Sequence, residues 1–266
     1  MSKSIVLALS LLFAPWATMA VAADEPAAGA AGEAAAEAVN WQDLKAGNEV
    51  SNISSLQEGA RNFTNYCLGC HSMKFMRWSR MCDDLRVPRA ECQANLMPPN
   101  AKPADYMVSS LRAEDAVAWF GKEPPDLSLI ARSRGVDYIY RLFKTFYVDP
   151  SKPTHTNNLQ LDGIAMPAVL SELEGVKTAV YRNVDKVVDG KSTAVKEFVG
   201  FSTVTPGQLT EKEYDKFLRN TVNFLDYAGD PTQVDRRGIG IWVVLFLLAF
   251  TGIAWFMKKE YWKDVH

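Results

Sequence analysis

Cys67-Leu68-Gly69-Cys70-His71 places two thiols three residues apart, with an imidazole directly behind the second. On a helical turn, positions i and i+3 share a face. Both sulfurs can then form thioethers to neighbouring vinyl groups of one porphyrin while His71 turns its ring toward the iron. This is the attachment pattern of a c-type haem. A thioredoxin-like dithiol has no need of the histidine, and a zinc site requires a second ligand pair at matching spacing, which the sequence lacks. The motif occurs once, so one covalently held haem c is expected and a di-haem peroxidase is argued against.

An electron-carrying haem needs a partner opposite His71, and a methionine sulfur there favours the ferrous state. Two of the nine methionines sit in proline-held loops: Met166 in Ile164-Ala165-Met166-Pro167 and Met97 in Leu96-Met97-Pro98-Pro99. Met166 lies far past the motif, with helical segments between to wrap the porphyrin, whereas Met97 shares its loop with Cys92. His155 would give bis-histidine ligation, but beside Pro153 it reads as an exposed loop residue. From the local sequence the choice stays open, with Met166 ahead.

The two ends of the chain carry targeting information. Lys3, the apolar run Ile5 to Ala14 and the small residues Ala20-Val21-Ala22 predict a signal peptide over 1–23. Residues 24–39, mostly Ala, Glu and Gly, predict a flexible lead-in, because they bury too little apolar surface to fix a fold. Ile239 to Met257 contains no charged residue, enough to cross a hydrocarbon core of about 30 Å. Arg236 and Arg237 bound it on one side and Lys258 and Lys259 on the other; Trp242, Trp255, Tyr261 and Trp262 suit the two interfaces. The expected division is a periplasmic haem domain over 40–237, a transmembrane helix over 238–258 and a cytoplasmic tail over 259–266. That makes a single-pass protein of the bacterial inner membrane. The net charge of −2 excludes an ordinary polybasic nucleic-acid binder.

Exported cysteines beyond the haem pair meet an oxidising space. Cys82 and Cys92 are therefore expected to pair across a short loop, two buried reduced thiols being the alternative. Periodicity in the domain is mainly helical. Ser55 with Glu58, and Thr210 with Glu213, read as capping boxes. Helices are expected over Ala104 to Phe120, stopped by Gly121, and over Asp137 to Phe146. Another carries the stripe Tyr214, Phe217, Leu218, Thr221, Val222 and Leu225, ending at Gly229-Asp230-Pro231. Val184–Val188 and Val195–Val199 around Asp189-Gly190 predict a hairpin. The fold class is mainly α, with a small β-hairpin and one C-terminal transmembrane helix.

Beyond the haem motif, the run Tyr66 to Met76, Pro124-Pro125-Asp126-Leu127-Ser128, Arg132-Ser133-Arg134, Asp137-Tyr138-Ile139-Tyr140, Ala165-Met166-Pro167 and the single late span resemble the cytochrome c1 family. The resemblance covers most of the exported domain and the anchor. It implies a c-type cytochrome fold with long insertions, Met166 as distal ligand, Arg134 paired with a haem propionate, Pro125 at the haem edge and Tyr138 packed nearby. The chain departs from the family just before the Pro-Pro pair. Where Asn and Gly often stand it has Trp119-Phe120-Gly121-Lys122-Glu123, so no polar haem contact is read into that loop.

The resemblance further implies an electron-relay subunit of a quinol–cytochrome c oxidoreductase, making no bonds of its own. It would work beside cytochrome b and a Rieske iron–sulfur protein in a dimeric complex, and would reduce a soluble or tethered cytochrome c. A free-standing anchored cytochrome feeding an oxidase and a haem-based ligand sensor are the rival readings.

Overall fold

Asn52 starts the first long helix, α1 (Ile53–Tyr66), by accepting a hydrogen bond from the Ser55 N–H at 3.1 Å. The expected Ser55–Glu58 box therefore does not form. Asn is a strong cap and lies a turn earlier, and both box residues are engaged across the helix interface. Ser55 Oγ donates to Asn220 Oδ1 at 2.7 Å, while Glu58 accepts from Asn220 Nδ2 at 2.5 Å and Lys216 Nζ at 3.1 Å. The structure, a computed structural model, describes residues 40–188 and 191–264. The expected signal peptide and lead-in lie outside the described residues.

After α1 come β1 (Met73–Arg77), α2 (Trp78–Asp84), α3 (Arg89–Asn95), β2 (Tyr106–Met107), α4 (Ala113–Phe120), α5 (Ile130–Arg134) and α6 (Val136–Lys144). They are followed by β3 (Phe146–Val148), β4 (Thr156–Asn158), α7 (Ser171–Glu174), β5 (Gly175–Val188), β6 (Lys191–Pro206), α8 (Glu211–Gly229) and α9 (Gln233–Tyr261). The described residues are thus mainly helical, with three two-stranded antiparallel sheets: β1–β2, β3–β4 and β5–β6.

The core is centred on α1 packed against α8. Thr210 and Glu213 close the expected capping box at the start of α8. Tyr214, Leu218, Thr221, Val222 and Leu225 are buried, and Phe217 is half-buried beside them. Gly59 is the point of closest approach, since a Cβ there would overlap the Asn220 carbonyl oxygen and stand 2.7 Å from Phe224 Cβ. The Phe63 and Phe224 rings meet with centroids 5.7 Å apart. Buried Asn62 is satisfied by the Phe217 carbonyl at 3.2 Å and Thr221 Oγ1 at 3.1 Å.

A helix over Ala104 to Phe120 forms only in its second half. Tyr106 and Met107 instead pair with Arg77 and Met73 of β1, and Met107 is fully buried. Gly121, at φ +79°, stops α4 as expected. α6 buries Ile139, Tyr140 and Phe143, whereas Phe146 leaves the helix to open β3 opposite Asn158. The hairpin is present but longer than its apolar tips implied. Val184 lies opposite Val195, so Val184–Val188 faces Lys191–Val195 rather than Val195–Val199.

Cys82 and Cys92 form a disulfide that ties α2 to α3, with Cα atoms 6.1 Å apart. Tyr227 of α8 donates to Asp84 at the end of α2 at 2.8 Å, anchoring this pair of short helices to the core. Only Asp230, Pro231 and Thr232 separate α8 from α9. Across that joint Arg236 pairs with nearly buried Asp230 at 2.5 Å. α9 is one helix of 29 residues with no buried side chain, long and apolar enough to cross a membrane. It begins at Gln233, before the expected start of the span at 238.

Candidate haem site

The last turn of α1 leads directly into the motif. The N–H groups of Cys67 and Leu68 both donate to the Phe63 carbonyl at 2.9 Å, and those of Cys70 and His71 donate to the Cys67 carbonyl at 3.0 and 2.8 Å. This curl keeps both cysteines on one turn with free thiols, Cys67 buried and Cys70 exposed. Burial, reinforced by the neighbouring Cys70, pushes the Cys67 thiol up to about 12.

His71 Nδ1 lies 2.8 Å from the Pro125 carbonyl oxygen. A carbonyl only accepts, so Nδ1 carries the proton and Nε2 keeps its lone pair, the state an iron ligand requires. Burial lowers the pKa of the ring, outweighing the opposing pull of the Pro125 carbonyl and the Asp126 charge, and so favours the neutral form.

Three further bonds hold the two segments together. The Leu127 N–H donates to the Ser72 carbonyl at 2.8 Å, the Lys74 N–H to Asp126 Oδ2 at 2.8 Å and the Phe75 N–H to Ser128 Oγ at 3.2 Å. Asp126 Oδ1 also accepts from the Ser128 N–H at 2.9 Å. Ser109 braces the motif as well, its N–H donating to Ser72 Oγ at 2.9 Å and its hydroxyl to the Gly69 carbonyl at 2.7 Å. Sequence reasoning did not single out Ser72, Ser109, Asp126 or Ser128 as site residues. The available signal was Asp-x-Ser, which favours a side chain bonding backbone two residues on.

Pro125 thus reaches the site through its main-chain oxygen. Arg134 ends α5, with its guanidinium carbon 5.7 Å from the centroid of the Tyr138 ring, and among the described residues it has no ion pair. Met166 is half-buried against the core, in the loop between β4 and α7. The structure therefore joins His71 to Pro125 directly and Arg134 to Tyr138, while Met166 sits on a separate loop. Of the competing ligands, Met97 is buried with its N–H on the Cys92 carbonyl at 3.2 Å. His155 is exposed at φ +54°, its N–H donating to the Lys152 carbonyl at 2.9 Å. Two thiols on one turn and an imidazole with Nε2 left open form a donor set that fits haem c. Among the described residues no three His, Cys, Asp or Glu side chains converge on a rival metal cage.

The model of the Cytochrome C1 family matches residues 45–265. The chain belongs to the cytochrome c1 family. Cytochrome c1 of Allochromatium vinosum is 37% identical over 265 residues, covering 99% of this chain and 100% of that one. The ammonia monooxygenase gamma subunit of Nitrosomonas europaea is 40% identical over 212 residues, 80% of this chain and 84% of that one. Cytochrome b/c1 of Bradyrhizobium diazoefficiens is 24% identical over 233 residues, covering 80% of this chain but 33% of the longer relative. As a cytochrome c1 family member the chain is a haem electron-transfer subunit, and the apolar α9 fits a membrane anchor.

Proposed function

We propose that this chain accepts one electron at a time from a Rieske iron–sulfur protein and delivers it to a soluble or membrane-tethered cytochrome c. The observation that carries this reading is the His71 ring, turned by the Pro125 carbonyl so that Nε2 is left for iron. Haem c supplies, when bound, a reversible one-electron change at its iron. Cys67 and Cys70 would hold a single porphyrin by two thioethers, and His71 and Met166 would offer its iron an imidazole nitrogen and a thioether sulfur. Arg134 would hold a propionate, for which a planar guanidinium is well shaped. Tyr138 packs against Arg134, and the Pro125 carbonyl fixes the His71 tautomer. The protein contributes position, ligand strength and a docking surface.

The domain is a c-type cytochrome fold with long insertions. Residues 1–23 form the signal peptide, 24–39 the lead-in, 40–237 the periplasmic haem domain, 238–258 the span and 259–266 the cytoplasmic tail. Its partners are cytochrome b and the Rieske protein, in a complex that is a dimer in the bacterial inner membrane. The name of the Bradyrhizobium relative, which joins b and c1 in one chain, supports the first partner.

A second reading has its own support. The Nitrosomonas relative is named as a subunit of a monooxygenase, so the same haem domain could serve a different membrane assembly. Purification in mild detergent decides between them. Co-isolation with cytochrome b and a Rieske protein, with quinol-dependent reduction of cytochrome c, is expected. Co-isolation with a monooxygenase instead, without quinol activity, would overturn the first reading.

A further inference from the structure

The Pro125 carbonyl meets His71 Nδ1 at 2.8 Å, and the hydrogen bonds between its turn and the haem-motif segment come from the residues that follow it. Pro124 and Pro125 have no N–H to donate, so neither can add a rung beside the His71 contact. The next residue supplies what they lack. Asp126 uses each carboxylate oxygen once, Oδ2 accepting from the Lys74 N–H at 2.8 Å and Oδ1 from the Ser128 N–H at 2.9 Å. Bonds from backbone N–H groups to a carboxylate are stronger than neutral ones. One side chain thereby staples the strand that follows the haem motif to the turn that carries the Pro125 carbonyl. The Leu127 rung and the Ser128 hydroxyl on the Phe75 N–H extend the same ladder.

We propose that Asp126 is a positioning residue that sets the ligand strength of His71, by clamping the Pro125 carbonyl onto Nδ1; this rests on the haem reading above. A carbonyl accepting from Nδ1–H makes Nε2 more basic, and a more basic ligand favours ferric iron. Loosening the clamp weakens that bond and moves the equilibrium toward the ferrous form. Ser128 acts in the same direction through a weaker, uncharged contact.

The test uses the membrane-bound complex carrying Asp126→Ala, Asp126→Asn or Ser128→Ala. Pyridine haemochrome analysis reports covalent haem, and a redox titration followed at the reduced α band reports the midpoint potential. Asp126→Ala should keep its haem and shift the ferrous-to-ferric ratio upward on the order of tenfold, the lower end for loss of such an outer contact, which is about 59 mV for one electron. Asparagine retains one acceptor oxygen, so Asp126→Asn should fall between alanine and wild type. Ser128→Ala should shift the same way by less, independent of salt. A haem-replete Asp126→Ala variant at the wild-type potential would overturn the proposal. Should that variant fail to mature, unchanged potentials in both Asp126→Asn and Ser128→Ala would overturn it equally. Equal, salt-sensitive shifts in the two Asp126 variants with none in Ser128→Ala would mean that only the charge acts, which also overturns it. Absence of covalent haem from the wild-type protein would instead defeat the haem reading itself.

Discussion

Gly59→Ala probes the α1–α8 contact on which delivery of Cys67 to the site depends. The added methyl would overlap the Asn220 carbonyl oxygen and sit 2.7 Å from Phe224 Cβ. Neither atom is at the end of a flexible side chain, so the helices themselves must separate. Overpacking of a well-filled core costs about 1–3 kcal/mol, and a clash with main chain belongs at the upper end. Alanine returns about 1 kcal/mol of helix propensity relative to glycine. The net loss is about 2 kcal/mol, which for a domain of this size lowers the melting temperature by ~4–8 °C. Thermal unfolding of the purified protein, followed by the near-ultraviolet circular dichroism of the aromatic core, measures this. Gly200→Ala in β6 is the control, since nothing lies within 4 Å of a Cβ there; its melting temperature should stay within the small range of neutral surface changes. A Gly59→Ala variant that melts with or above wild type would refute the close approach of the two helices.

Met166→Leu should retain covalent haem, lower its potential and admit carbon monoxide to the reduced protein; an unchanged potential would move the distal ligand to Met97 or His155. Replacing Cys82 and Cys92 together by alanine removes a cross-link between positions 10 apart. Loop-closure entropy puts the loss near 3 kcal/mol, and an unaltered melting temperature would show that the bond adds nothing to the fold. Thr210, through its backbone N–H and then its hydroxyl, holds the Glu213 carboxyl below its ordinary value of 4.5. A depressed folded value gives stability that is present above the ordinary pKa and lost as pH falls through the folded one. Glu213→Ala should therefore melt below wild type at neutral pH, with the gap closing as pH falls below the ordinary carboxyl value; a gap that persists in acid would assign the effect to something other than the carboxylate.

The features legible in the sequence are those whose cause is local. Thr210 with Glu213 and the stripe behind them specify α8, because a cap and a 3.6-residue period need no outside partner. Gly121 ends α4 for a similar reason. Ser55 misled because its hydroxyl is engaged by Asn220, 165 positions away, while Asn52 performs the capping. The two-residue strand Tyr106–Met107 is too short for any alternation to show. Its pairing with β1 nevertheless keeps the residues before Ala113 out of the helix.

The site divides along the same line. Cys67, Cys70 and His71 announce their chemistry by spacing alone. The Pro125 carbonyl reaches the imidazole across 54 residues, and a main-chain atom leaves no mark in residue identity. Asp126 and Ser128 carry only the local Asp-x-Ser signal, and only the fold shows that their side chains grip the strand beyond the motif.

The three-residue link between α8 and α9, bolted by Arg236 and Asp230, has a consequence for traffic at the membrane. A domain on a long tether can lean toward its donors and acceptors, whereas one grown almost directly from its anchor is a mast. If α9 is the anchor, a haem held by Cys67 and Cys70 would stand at a set elevation above the lipid, and the partners proposed for it would have to make the journey.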